Sequence, residues 1–151
     1  MGIKYYVLAL GIVGFLAALP ANAQISKKQE KINAQHADAI VAARTAAEEW
    51  LKIEDAETYD KSWDAASDYF RSQVPEKGWV RRMETTRKAL DPVLVRDLKA
   101  SEWNTEMPNL PKGEYVAFVW ETVFSNSQEM LESLIMSDEA GQWKMIGYAV
   151  Q

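Results

Sequence analysis

Three charged side chains interrupt apolar runs in the second half of the chain, and these could do chemistry. Arg96 stands in "VLVRDL", Glu121 in "VAFVWETVF" and Glu132 in "MLESLIM". Period-two alternation puts Glu121 on the side of Val119 and Val123, and Glu132 on the side of Met130 and Leu134. A charge on a covered strand face must be paired. One reading is an Arg–Glu pair between neighbouring strands. The other is a carboxylate of raised pKa acting as general base, with Arg96 or Tyr148 polarising a substrate. No Asp–His or Asp–Arg–Asp pattern accompanies them. Glu121, Glu132, Arg96 and Tyr148 therefore stand as candidates, and no residue is assigned as catalytic.

The densest acidic stretch is "WLKIEDAETYDKSWDAASDYF", residues 50 to 70. Asp60, Asp64 and Asp68 recur at steps of four, along one side of a helix. Hard cations are usually wrapped by loop oxygens, including backbone carbonyls. A straight ladder of carboxylates does not wrap an ion, so we expect a solvated face, partly neutralised by Lys61 and Arg71, and no metal site. Asp55 is expected to cap the following helix near Thr58. The aromatics Trp50, Tyr59, Trp63, Phe70 and Trp79 are expected inside, as core or as the lining of a ligand cavity. Buried indole N–H groups would then need polar partners. His36 lies among small and polar residues and reads as exposed.

Helices must present these aromatics and strands must present the charges. Apolar positions Ile40, Ala43, Ala47, Trp50 and Leu51 predict a helix over about 33–54. Tyr59, Trp63, Ala66 and Phe70 predict a second over about 58–72. Pro75 opens a third, with Trp79, Met83, Thr86 and Leu90 on its buried face, and "DP" at 91–92 stops it. The period then changes to two. Strands are expected at 93–103, with Val93 and Val95 on one side and Leu94 and Leu98 on the other, and then at 114–124, 128–137 and 142–150. "MPNLPKG" is a loop, "SNS" a turn, and "DEAG" a hairpin turn with Gly141 in the left-handed region. Three helices on a four-stranded antiparallel sheet make an α+β fold.

The chain has 151 residues, no cysteine and one histidine, with formal net charge −5. Thiol catalysis, Cys-based zinc sites and multi-His metal sites are excluded. The acidic balance opposes nucleic-acid binding. Lys4, the apolar run "YYVLALGIVGFLAAL" and "ANA" read as a signal peptide over 1–23. Its apolar run is shorter than a bilayer span. Cleavage after Ala23 leaves 128 of the 151 residues at net charge −6, since Lys4 departs. The expected location is periplasmic or secreted, with membrane contact only during export. Residues 24–32 form a polar lead-in, and 33–151 a single domain.

"AAEEWLKIEDAETYDKSWDAAS", Trp79, Arg87 with Leu90, Arg96, "LPKGEYVAF", Phe124, Glu132 and "GQWKMIGYAV" together resemble the DUF4019 family of bacterial proteins, whose function is unknown. The resemblance covers about residues 42–150. Asp91 departs from it, standing where the family often has glycine. The resemblance implies a nuclear-transport-factor-2-like cone, in which the sheet curls around the helices. It implies an interior suited to a small apolar ligand and an outer sheet face suited to a homodimer. It carries no reaction and no cofactor.

Three functions compete at this point. An exported, non-catalytic ligand-binding or accessory domain agrees with the signal peptide and the missing nucleophile sets. A small hydrolase, isomerase or dehydratase would use Glu121 or Glu132. An interaction module would dimerise through its sheet.

Overall fold

The structure is a computed structural model that describes residues 25–90, 92–126 and 129–151. The expected signal peptide over 1–23, Asp91 of the "DP" stop and Ser127 of the "SNS" turn lie outside the described residues. Within them the fold is α+β. Helices α1 (Lys27–Gln35), α2 (Ala37–Asp55), α3 (Tyr59–Asp64), α4 (Asp68–Gln73) and α5 (Glu76–Thr86) precede strands β1 (Val93–Asn104), β2 (Tyr115–Phe124), β3 (Glu129–Glu139) and β4 (Gln142–Val150).

Among the described residues five helices replace the expected three because tertiary contacts break two periodic runs. The first break is at His36, which is half-buried rather than exposed. Its ring stacks on Trp103 at 3.5 Å, and α1 swings away to lie along β1. That helix begins inside the polar lead-in. The second break follows Asp64. There Ala66 bridges to Met145, and the Ser67 N–H donates to the Met145 carbonyl at 2.7 Å. Ser67 then caps α4 by accepting from the Phe70 N–H at 3.0 Å. The acidic ladder is thus split across two short helices. Asp60, Asp64 and Asp68 are all exposed. Pro75, expected in the first turn, stands just before α5 at the N-cap, and that helix stops at Thr86, short of the "DP" at 91–92.

The strands are antiparallel in the order β1-β2-β3-β4. Register shifts between Val93 and Val95, between Leu98 and Ala100, and between Ile135 and Met136 curl the sheet. The first shift reverses one expectation. Val93 and Leu98 both pack on the helix side, while Leu94 and Val95 are exposed. A bulge adds one residue, so the side chains after it change face until the second shift, between Leu98 and Ala100, restores the alternation. The β3–β4 turn holds Ala140 and Gly141 at φ +54° and +84°, and Gly141 takes the expected left-handed place.

Inward-facing Val116, Phe118, Trp120 and Phe124 meet Leu51, Trp79 and Met83 in the main core. The outer face is not bare. The loop after β1 folds back across one end of it, where Met107 and Leu110 join Tyr69, Tyr115, Ala117 and Ile135 in a second cluster.

Both edges of the sheet have neighbours. Asn33 on α1 accepts from the Trp103 N–H at 3.1 Å and donates to the Ser101 carbonyl at 2.8 Å. Gln29 donates to the Trp103 carbonyl at 2.9 Å. These amide side chains occupy the backbone groups that a further strand would use.

Candidate functional site

The inward face of the sheet carries the polar side chains. Arg96 of β1 lies opposite Thr122 of β2, and Tyr148 of β4 lies opposite Leu134 of β3. Glu132 is two residues before Leu134, so all four point to the helix side. Glu132 is wholly buried and its carboxyl accepts from three residues. Arg96 Nε and Thr122 Oγ1 reach Oε2 at 2.6 and 2.9 Å, and the Tyr148 hydroxyl reaches Oε1 at 2.5 Å. A longer Arg96 contact, 3.3 Å, also reaches Oε1.

The helices supply the other half. Asp55, on the last turn of α2, accepts from both terminal nitrogens of Arg96 at 2.8 and 2.9 Å. It also accepts from Arg87 at 2.6 Å. Asp55 therefore does not cap the next helix, and Thr58 occupies that position without a side-chain capping bond, its hydroxyl donating back to the Ile53 carbonyl at 3.0 Å. Arg87, just past α5, is buried and lies over the Phe124 ring at 4.9 Å. The network opens to solvent at one end only. Asp55 is 31 % and Arg96 17 % exposed, against 0 % for Glu132 at the floor.

Electrostatics follow from burial. Desolvation pushes the Tyr148 phenol well above its ordinary range, and the neighbouring Glu132 charge adds to this. Burial works against the charge of Arg96. Hydrogen bonds to Asp55 and the charge of Glu132 outweigh it and hold Arg96 above the ordinary guanidinium range. Glu54, the residue before Asp55, is 1 % exposed and neither of its oxygens has a hydrogen-bond partner. Burial raises its pKa to about 8. Ser62 and Arg87 pull the other way without overcoming the desolvation.

The candidates separate cleanly. Arg96, Glu132 and Tyr148 come together. Glu121 does not join them. It faces outward and pairs with Lys99 at 2.9 Å. The Arg–Glu pair forms, but between β1 and β3, not between neighbouring strands. Among the aromatics, Trp50, Tyr59, Phe70 and Trp79 are buried. Trp50 meets Tyr148 with rings tilted by 59° and centroids 5.1 Å apart, and Phe70 meets Trp79 edge-on at 5.1 Å. Trp63 is only half-buried, and its indole donates to the Val74 carbonyl at 2.7 Å. The polar partner expected for buried indoles is Ser62. Its carbonyl accepts from Trp50 and its hydroxyl from Trp79, both at 2.9 Å.

Glu54, Asp55, Arg87 and Ser62 were missed as interior residues. Arg87 follows Met83 by four, a helical spacing that could have placed it inside. Glu54 follows Trp50 and Leu51 in the same way.

Neither of two surface clefts reaches the network. One, of about 200 Å³, runs between α2 and β4 past Ala46, Trp50, Ile53, Met136, Trp143 and Met145, with Glu49 and Lys144 beside them. The other, of about 450 Å³, is an open hollow at Thr105, Glu106, Lys112, Gly113 and Glu114. Among the described residues no group of three His, Cys, Asp or Glu side chains could hold a metal ion.

Comparison with known families matches residues 46–148 to one described as "Protein of unknown function (DUF4019)". The chain belongs to the DUF4019 family. The matched span contains every member of the network, from Glu54 to Tyr148, while α1 lies before it. No curated protein matches this DUF4019 chain. Its charged centre can clamp the end of α2, the turn after α5 and all four strands together. It offers a substrate no free acceptor on Glu132.

Proposed function

We propose that the protein acts after export, in the periplasm or outside the cell, as a non-catalytic binding or accessory domain of nuclear-transport-factor-2-like fold. The observation that carries this reading is Glu132. Its carboxyl is fully buried and already accepts from Arg96, Thr122 and Tyr148. A general base needs a lone pair aimed at substrate, and this one has spent its own on holding the fold. Of the aromatics that could have lined a cone cavity, Trp50, Phe70 and Trp79 pack on one another and on Tyr148, which favours a ligand met at the surface.

The groove between α2 and β4 supports that site. Its volume, about 200 Å³, is below that of ordinary small-molecule pockets and suits one apolar side chain or a short acyl group. A panel of small apolar ligands and envelope fragments tests the reading by thermal shift and by the indole N–H resonances. Binding should move the Trp143 signal and vanish in Trp143→Ala. Turnover of an ester or lactone panel that Glu132→Gln abolishes would overturn it in favour of a hydrolase. Intact mass of the exported protein should show loss of residues 1–23; a full-length mass in the membrane fraction would contradict export by cleavage.

A homodimer is the second reading. Leu94 and Val95, 60 % and 49 % exposed, support it, since the loop after β1 leaves that end of the outer face open. Light scattering across a concentration series separates it from a monomeric binding domain.

A further inference from the structure

The network has two guanidinium groups and three carboxyls. Arg96 is shared by Asp55 and Glu132, and Arg87 bonds Asp55. Glu54 is left among them with both oxygens buried and unbonded. Its surroundings come from every element packed on it. Asp55 is on its own helix, Ser62 on α3, Arg87 after α5, Glu132 on β3 and Tyr148 on β4. The Ser62 hydroxyl is already committed, donating to the Tyr59 carbonyl at 2.9 Å. Two of the neighbours are carboxyls, whose negative charge disfavours a third.

We propose that Glu54 is built into the fold as a neutral carboxylic acid and that loss of its proton is a switch. Ionised Glu54 competes with Asp55 for Arg87 and loosens the last turn of α2. Three backbone bonds tie the following residues back to that turn. The Ala56 N–H donates to the Lys52 carbonyl, Glu57 N–H to Glu54 and Thr58 N–H to Ile53. The burial-raised pKa of Glu54, about 8, sets where the switch acts. Because the folded protein holds the proton more tightly than the open chain, closure is fully supported at acid pH. It weakens as pH rises from the ordinary carboxyl range toward about 8 and is constant above that.

The test combines a carbon-13 NMR titration of the Glu54 carboxyl in the wild-type chain with hydrogen exchange at Ala56–Thr58 from pH 5 to 9. The carboxyl should titrate near pH 8. Exchange should rise by up to about a hundredfold per pH unit below that midpoint, and about tenfold in Glu54→Gln, which mimics the neutral acid. A midpoint in the ordinary carboxyl range overturns the proposal, and needs no variant. So does a midpoint near 8 with the same pH slope in both proteins, which would leave a buried acid that switches nothing.

Discussion

Arg96 on β1 and Glu132 on β3 pair at 2.6 Å although a whole strand lies between them. The guanidinium crosses β2 on the helix side, and Thr122 on that strand adds its hydroxyl to the same carboxyl. The pair therefore staples the sheet across three strands. Asp55, on the same guanidinium, extends the staple to α2.

Breaking the staple should cost more than replacing it. Glu132→Ala leaves Arg96 and the Tyr148 hydroxyl without their buried acceptor. The expected loss is about 3–5 kcal/mol, the usual result of removing one partner of a buried pair. A double variant, Arg96→Leu with Glu132→Leu, should lose less than Glu132→Ala alone. Urea denaturation of the three proteins measures this. A loss below about 1 kcal/mol in Glu132→Ala would mean that the pair behaves as a surface one.

Tyr148 should not ionise in the folded protein at the pH of an ordinary phenol. Its folded pKa is raised, so the unfolded chain releases the proton first as pH climbs. Stability from this group is complete below about pH 10 and falls above it. Absorbance at alkaline pH should show the other tyrosines titrating first, with the last phenolate appearing only on unfolding. Tyr148→Phe should remove that late step. An early phenolate signal lost in Tyr148→Phe would contradict the burial argument.

Asn33→Ala should free the Trp103 N–H and the Ser101 carbonyl, which the Asn33 amide now engages. The cost is expected to be about 1–2 kcal/mol, that of two part-buried hydrogen bonds. Amide exchange at Trp103 should accelerate far more than at residues of β3. Unchanged protection there would mean that α1 does not hold the edge.

Ala140→Asn should stabilise the protein. Ala140 sits at φ +54°, where an L-residue with a Cβ is strained and asparagine is tolerated. Asn-Gly is also the favoured pair for a two-residue hairpin. A gain of roughly 0.5–1 kcal/mol is expected, visible as a small rise in Tm. A lower Tm would show that the methyl group packs usefully.

The strands, the helix-rich first half and the Gly141 turn were legible in the sequence because hydrophobic period and turn chemistry are local. The two helix breaks were not. His36 stops a helix by stacking on Trp103, and Ala66 stops one by bridging to Met145, partners 67 and 79 residues away. The face of Val95 was misplaced because a bulge leaves no mark on the alternation that precedes it. The site was half legible. Arg96 and Glu132 stood out as charges in apolar strands. Asp55 was disguised, since an acid just before a helix looks like a cap and its two arginines lie 32 and 41 residues on. Glu54 carries no signal beyond helical spacing from Trp50 and Leu51, in a stretch where most acids are solvated.

The sheet is shut at both rims by unlike means. Amide side chains of α1 close β1 at Ser101 and Trp103, and the backbone of Ser67 closes β4 at Met145. Lateral growth of the sheet, strand onto strand, has no starting template at either place. At those places a further strand could pair only after the seal is undone. Of the two, the α1 seal is the weaker, since that helix has no fully buried residue, and a protease cut before Ala37 is where such growth would start.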